Sequence, residues 1–420
     1  MTSGLASSKA FGFASRQARW IATLGGTGNE SLQSLGLDRA QNIYSAGYVG
    51  TGAVGTFDIV VTKHNPYGAL QWQRRLQSAS TETIFGTAAD SSGNAFVAGA
   101  FGATPDVIAA KYDASGAIQW QRSLSGSFDD YGHACALDSA NNLYVAGYTS
   151  TSSVTSAFLL AKYNSSGTLQ WQRSLGGSGV DVGYGIAIDS SDNIYVTGVA
   201  DTDILTAKYN TSGTLQWQRR LSGAGTDFAY AVACDISGNV LVAGWTDSQG
   251  AGSNDILTIK YNSSGTLQWQ RILGGAAMDR GRAVTADAAG NVYVAGLNFT
   301  DVAIVKYNSS GTLQWQRTFG GSGTELGLGI RILTTDFVMS ARTTSAGAGG
   351  EEGLLTRLPT DGTLTGTYGS FTYAAGAMTA ATSTLTDAAG ALTAATSTLT
   401  AATPSLTDAA ATLTATLTPI

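Results

Sequence analysis

A tryptophan recurs in near-identical surroundings at Trp20, Trp72, Trp120, Trp171, Trp217, Trp269 and Trp315, with separations of 52, 48, 51, 46, 52 and 46 residues. A repeat of this length constrains the fold more than any other feature. Each unit must be one supersecondary element that buries its apolar face against the next. The most regular copy reads KYNSSGTLQWQRSLGG from Lys162; close copies start at Lys208, Lys260 and Lys306, and looser ones at Lys63 and Lys111. A unit contains four short runs, typified by VGYGIAID (182–189), IYVTGV (194–199), DILTAKY (203–209) and TLQWQRSL (168–175). Their Val, Ile, Tyr and Trp content, punctuated by Gly-Asn and Ser-Gly, predicts strands joined by tight turns. Four strands in about 40 to 50 residues is the period of a β-propeller blade, and the copy number predicts a seven-bladed disc.

The string GGSGVDVGYGIAIDSSDNIYVTG, followed by DILTAKYNTSGTLQWQR, resembles the seven-bladed β-propeller repeats known as SBBP repeats. The resemblance holds unit after unit over residues 17–362 and implies a fold more firmly than an activity. Its members occur in bacterial surface proteins and in phage genomes, so it implies a phage or bacterial surface setting. The chain then divides into an N-terminal extension (1–16), an all-β propeller of four-stranded blades (17–362) and a Thr/Ala/Leu tail (363–420). Two segments compete to complete the seventh blade: the lone strand at Trp20, and GTLTGTYG (362–369), which lacks the Trp. The Trp20 strand is favoured because a large aromatic buries more area against its neighbours.

Spacing arithmetic locates the variable part of each unit. From the Gly ending the second run to the start of the third, the gaps are 11 (Gly47–Asp58), 7 (Gly99–Asp106), 10 (Gly147–Ala157), 5 (Gly198–Asp203), 11 (Gly244–Asp255) and 5 (Gly296–Asp301). Subtracting each from its Trp-to-Trp spacing leaves 41 in every case. All length variation therefore sits in one loop per blade, on the face opposite the constant N-S-S-G turns. Function on a rigid scaffold concentrates on such loops. Tyr48, Tyr148 and Trp245 directly follow the strand-ending Gly of three long-loop blades. They are the candidate ligand-binding residues, suited to stacking on sugar rings or anchoring a protein; the plainer account is that they pad the loop base.

Several tempting motifs have structural explanations. The sequons at Asn164, Asn210, Asn262 and Asn308 also read as tight turns with Gly at positive φ. Asp90, Asp138, Asp189, Asp235 and Asp287, each followed four residues later by Asn, read as capped hairpin turns rather than calcium loops, which need alternating oxygen ligands and a distal Glu. Arg74, Arg122, Arg173, Arg219, Arg271 and Arg317, each two residues after a repeat Trp, are expected to pack along it or pair with an Asp of the next blade. Charged residues make up 12% of the chain and the net charge is −6, which argues against nucleic-acid binding. Cys135 and Cys234 have no metal or disulfide spacing, and His64 and His133 are the only histidines. With no Ser-His-Asp set, no paired catalytic carboxylates and no HExxH, no enzyme activity, cofactor or metal is expected. His133 and Arg282 stand out in first strands otherwise rich in Gly, Tyr, Ala and Ile.

The tail keeps a seven-residue period through Leu364, Phe371, Met378, Leu385, Leu392, Leu399, Leu406 and Leu413, each followed by Thr. Two expectations compete for it: an oligomerising helical stalk with Ala at the second core position, or an extended, β-rich or disordered segment. Gly376, Gly390, Pro404 and abundant Thr oppose the helix. MTSGLASSKAFGFASRQARW lacks the apolar core of a secretory signal, and no run of 18 apolar residues spans a membrane. The sequence-based expectation is a non-enzymatic structural or adhesion protein, a phage fibre or capsid appendage, located in the virion after synthesis in the host cytoplasm. Its expected partners are virion or surface proteins and a host glycan or protein, with homo-oligomers forming through the tail. The alternatives are a bacterial cell-surface or secreted adhesin and a glycan-active propeller enzyme.

Overall fold

Period-two patterning with one small and one bulky residue per step suits a sheet packed on both faces, and each unit folds as a four-stranded antiparallel sheet. The computed structural model describes residues 19–25, 28–50, 57–77, 80–150, 152–346, 350–389, 393–395, 400–402, 407–410 and 414–419. The extension expected over 1–16 lies outside them. The innermost strands of blades 1 to 7 are Glu30–Leu37, Glu82–Ala89, Asp130–Leu137, Asp181–Ile188, Asp227–Cys234, Asp279–Ala286 and Glu325–Ile332. Each packs beside the innermost strands of the neighbouring blades, so the seven line a central channel. Blade 7 is completed by Trp20–Gly25, which pairs antiparallel with Glu352–Pro359 from Trp20↔Arg357 to Leu24↔Gly353. The start of the chain thus closes the ring, as the Trp20 expectation holds. Gly366–Tyr368 pairs instead with Phe371–Ala375 at the edge of blade 6.

The repeated motif proves to be a clasp between blades. The indole N–H of Trp20, Trp72, Trp120, Trp171, Trp217 and Trp269 donates to a carbonyl in the third-to-fourth-strand turn of the next blade, at 3.1–3.3 Å. At Trp72, Trp120, Trp171, Trp269 and Trp315 the Arg two residues later lies over the Trp ring, 5.2–6.0 Å from its centroid. In blades 1 to 5 its Nε donates to the Gly carbonyl of the same turn at 2.6–3.0 Å. The expected Asp partner is therefore replaced by backbone. Lys63, Lys111, Lys208 and Lys260 add an ammonium to the carbonyl that already accepts the indole, at 3.1–3.4 Å. At the closing junction Pro66 O accepts both Trp20 Nε1 and the fully buried Arg357, whose Nε pairs with Asp336 at 3.0 Å.

The turn that receives the clasp must be Gly-ended. Asn164 Oδ1 accepts the backbone N–H groups of Ser166 and Thr168, and Gly167 takes φ +79°. A Cβ on Gly167 would stand 2.7 Å from the Trp120 ring, so both conformation and contact exclude a side chain. The sequon Asn is thus a turn cap. The Asp…Asn hairpins behave alike: Asp189 accepts from Ser191, both amides of Asn193 and the Tyr195 hydroxyl. Burial alone would raise its pKa, but those donors win and lower it.

The tail is extended, the second of its two expectations. Its strands pair in turn with the outer strands of blades 6, 5, 4, 3, 2, 1 and 7, beginning at Thr372, Thr379, Thr386, Thr393, Thr400, Thr407 and Thr414. Among the described residues, tail strands seven residues apart each add a strand to the outer edge of one of the seven sheets. Phe371, Met378 and Leu385 are buried among residues of adjacent blades. Gln316, one residue after Trp315, both donates to and accepts from the Met378 backbone, at 2.7 and 3.1 Å. Thr-rich sequence favours strand over helix, and the open edges of the outer strands offer the hydrogen bonds that a lone stalk would lack.

Trp315 lacks the indole bond that Trp120 makes to Ser165 O. Trp120→Phe is accordingly expected to cost about 1 kcal/mol more than Trp315→Phe. Chemical denaturation of the two variants reads this difference directly.

Candidate functional site

Each innermost strand carries one residue more than its neighbour can pair. The ladder skips Gln33, Phe85, His133, Tyr184, Tyr230, Arg282 and Leu328, one per blade and at the same step. A bulge of this kind re-aims its side chain, and these residues together line the channel cavity. A glycine-poor ring would not close here: a Cβ on Gly86 would meet the Cys135 backbone nitrogen at 2.6 Å. The strands converge at small residues just past the bulge, which leaves the bulged side chains as the channel wall. Sequence reasoning singled out His133 and Arg282 but missed the ring. The signal was available in blade 4, where eight residues of the inner strand face seven of the second.

His133 is the hub. Its Nδ1 donates to Gly183 O at 3.0 Å, which leaves the lone pair on Nε2. Its ring stacks on Tyr184 at 4.6 Å and meets Phe85 edge-on at 5.3 Å. Tyr184 in turn packs against Phe228 (4.8 Å) and Tyr230 (5.5 Å). The Arg282 guanidinium lies 3.8 Å from the Tyr230 ring centroid. Burial lowers the His133 pKa to about 4, so the ring is neutral, and burial pushes the Tyr184 phenol up to about 12. His64 is not part of this site; it fills the core position that Tyr112, Tyr163 and Tyr209 occupy in other blades.

The three loop-base aromatics are not open platforms. Trp245 is 9% exposed and is sandwiched between Phe228, stacked at 5.6 Å, and the Arg280 guanidinium at 5.0 Å. Tyr148 is half-buried, stacked on Tyr131 at 5.1 Å and 5.5 Å from His133. Tyr48 is separate: it donates to Glu351 at 2.9 Å and packs on Phe57. Tyr148 and Trp245 therefore extend the channel's aromatic wall to the variable-loop face, and Tyr48 ties blade 1 to blade 7. Beside this wall a hollow of about 650 Å³, bordered by Phe85, Phe101, Pro105 and Tyr131, opens between blades 2 and 3.

On the same face, acidic residues start the inner strands and cap the inter-blade links. Asp130, Asp181 and Asp279 each accept the backbone N–H four residues upstream at 2.6–2.7 Å. Asp106 of blade 2 sits beside Asp130 of blade 3, whose backbone N–H donates to Pro105 O at 2.7 Å. Burial, then the Asp130 charge, raises the Asp106 pKa to about 6. Among the described residues no three His, Cys, Asp or Glu side chains cluster as a metal site, and no helix is long and apolar enough to cross a membrane. Cys135 and Cys234 are free thiols, and burial pushes that of Cys135 up to about 12.

Comparison with known proteins returns the same architecture. Residues 170–205 and 216–250 match the SBBP beta-propeller repeat, and 237–267 match a beta-propeller domain of unknown function, DUF5122. No curated protein matches the chain in sequence. Among solved structures, puromycin hydrolase shares 13% identity with a TM-score of 0.51, covering 80% of this chain and 52% of that one. YCF48 bound to D1 peptide shares 10% with a TM-score of 0.50, covering 81% and 95%. Sqt1 from Chaetomium thermophilum shares 10% with a TM-score of 0.48, covering 78% and 86%. At these identities the likeness extends to the fold and no further.

Because the folded pKa of Asp106 lies above its ordinary value of 3.8, the folded state holds a proton that the unfolded state releases. Its contribution to stability is present at low pH and is lost as pH rises from 4 to 6. Asp106→Asn is expected to raise the melting temperature at pH 7.5, on the order of 1–2 °C, and to leave it unchanged near pH 4. Paired thermal melts of the two proteins across this range check the sign.

Proposed function

The chain is a seven-bladed β-propeller repeat protein, and on that footing we propose that it is a non-enzymatic binding scaffold. In this reading the disc is a structural or adhesion component displayed on a phage particle, as a fibre or capsid appendage. It engages a host glycan or a protein partner at the variable-loop mouth of its channel. The observation that carries the binding part is the bulge ring. In the clasp and the hairpin turns corresponding positions repeat from blade to blade, whereas Gln33, Phe85, His133, Tyr184, Tyr230, Arg282 and Leu328 are nearly all different. Closure of the ring demands repetition; only an asymmetric ligand calls for seven unlike side chains at equivalent places.

The chemistry of the wall supports binding over turnover. A general acid or base works best when its pKa lies near the working pH. Burial drives His133 to about 4 and Tyr184 to about 12, so neither exchanges protons readily near neutrality. The stacked rings are also held by one another, which favours a preformed surface over moving parts. The phage setting is supported by the family resemblance of the W-Q-R…G-G repeats.

Two measurements test the proposal. Mass spectrometry of purified particles is expected to detect the chain, and its consistent absence contradicts display on a virion. A glycan array coupled to product analysis is expected to show retention without cleavage; released oligosaccharides contradict the non-enzymatic reading.

A further inference from the structure

Charge is distributed unevenly in this chain. The net charge is −6, and most side-chain cations are matched in place. Arg220 pairs with Asp203 at 2.6 Å, Arg342 with Glu351 at 2.8 Å, Lys260 with Asp235 at 2.9 Å, and Arg75 with Asp58. The clasp arginines are satisfied by turn carbonyls. Among the described residues, two channel-facing arginines, Arg282 and Arg331, have no carboxylate partner.

Arg282 projects from the bulge of blade 6, where the equivalent residues are uncharged. Its Nε is buried and has no hydrogen-bond partner, and its guanidinium lies against the Tyr230 ring. Arg331 of blade 7 lies three residues beyond the bulge, about 10 Å further along the strand. Its counterparts in blades 1 to 5 are Gly36, Ala88, Ala136, Ala187 and Ala233. Its Nη1 donates to Ile330 O, and it has no carboxylate partner. Both guanidiniums border one cavity of about 110 Å³, and no Asp or Glu lines it. Nor does any acid line the adjoining stretch of channel past Arg331. Burial lowers the pKa of Arg282, and Arg280 and Arg342 add repulsion there. Arg282, with its buried unpartnered Nε, is costly in a cavity without a counter-charge unless an anion joins it, and Arg331, exposed to the channel, brings a second cation to the same cavity.

We propose that the channel binds a compact oxyanion group — carboxylate, sulfate or phosphate — between Arg282 and Arg331. The group enters past His133 and Tyr184 from the variable-loop mouth. A guanidinium offers planar paired donors that match such a group, and the cavity admits a head of that size. The aromatic wall accommodates the rest of a ring-bearing ligand, so an acidic sugar at the end of a glycan fits better than a neutral one. The inference rests on the mouth being the binding face and is independent of where the protein is displayed.

The test uses the full-length chain at low ionic strength. Inorganic phosphate, inorganic sulfate and a glucuronate-containing oligosaccharide are titrated by calorimetry and thermal shift against sodium chloride of equal ionic strength and against the matching neutral oligosaccharide. Saturable binding of at least one anionic probe is expected, weakened roughly tenfold or more in Arg282→Gln and in Arg331→Gln. Without anion, Arg282→Gln is expected to melt at or above the wild-type temperature, because an unpaired buried charge has been removed; with saturating anion the order reverses. Tighter binding of the acidic oligosaccharide than of the free anions assigns the site to a ligand's terminal group, and equal binding assigns it to the free oxyanion. No response beyond the chloride control, or equal binding by wild type and both variants, overturns the proposal. Particle detection bears only on display, so the two readings fail separately.

Discussion

The ring depends on one interaction: the indole and guanidinium of one blade held by the N-S-S-G turn of the next. A propeller blade has little reason of its own to stay beside its neighbour, because flat sheets packed face to face can slide. The clasp removes that freedom. Trp120, Lys111 and Arg122 place three donors on two carbonyls of one turn, those of Ser165 and Gly167, while the indole covers the glycine that makes the turn possible. Each element needs the others. Gly supplies the left-handed conformation, the Asn side chain caps the turn, and the Trp fills the space where a Cβ would stand. This mutual requirement explains why so many residues of the motif recur together.

Much of this was legible in the sequence because the constraint is periodic. The constant 41 residues separate the repeated motif from the variable loop in the sequence itself. The preference for Trp20 as the closing strand also held, since its indole finds Pro66 O as the other repeats find their own turns. The tail was only half legible. Its heptad period suggested a stalk, yet the period matches the step from one blade edge to the next rather than two helical turns. A seven-residue repeat is ambiguous when the partner is absent from view. Gln316, immediately before Arg317, carried the complementary half of the signal in the blade motif.

The channel was the least legible part. A bulge moves one side chain out of the alternation that strand reading relies on, so the lining residues looked like ordinary members of half-buried strands. Tyr148 and Trp245 were found by their position after a strand-ending Gly, but that position directs them inward against Tyr131 and Phe228. Repetition and asymmetry thus divide the molecule. Equivalent residues hold blade to blade and tail to blade, and unlike residues meet only where seven strands converge on one axis.

The account turns on the clasp acting as one cooperative set, and hydrogen exchange at the tryptophan indoles tests that most directly. If it is right, the N–H groups of Trp20, Trp72, Trp120, Trp171, Trp217 and Trp269 exchange slowly and together, by opening of the whole ring. The indoles of Trp315 and Trp245, which have no acceptor, exchange faster. Six clasp indoles that exchange at widely scattered rates, or no more slowly than those two, would contradict it.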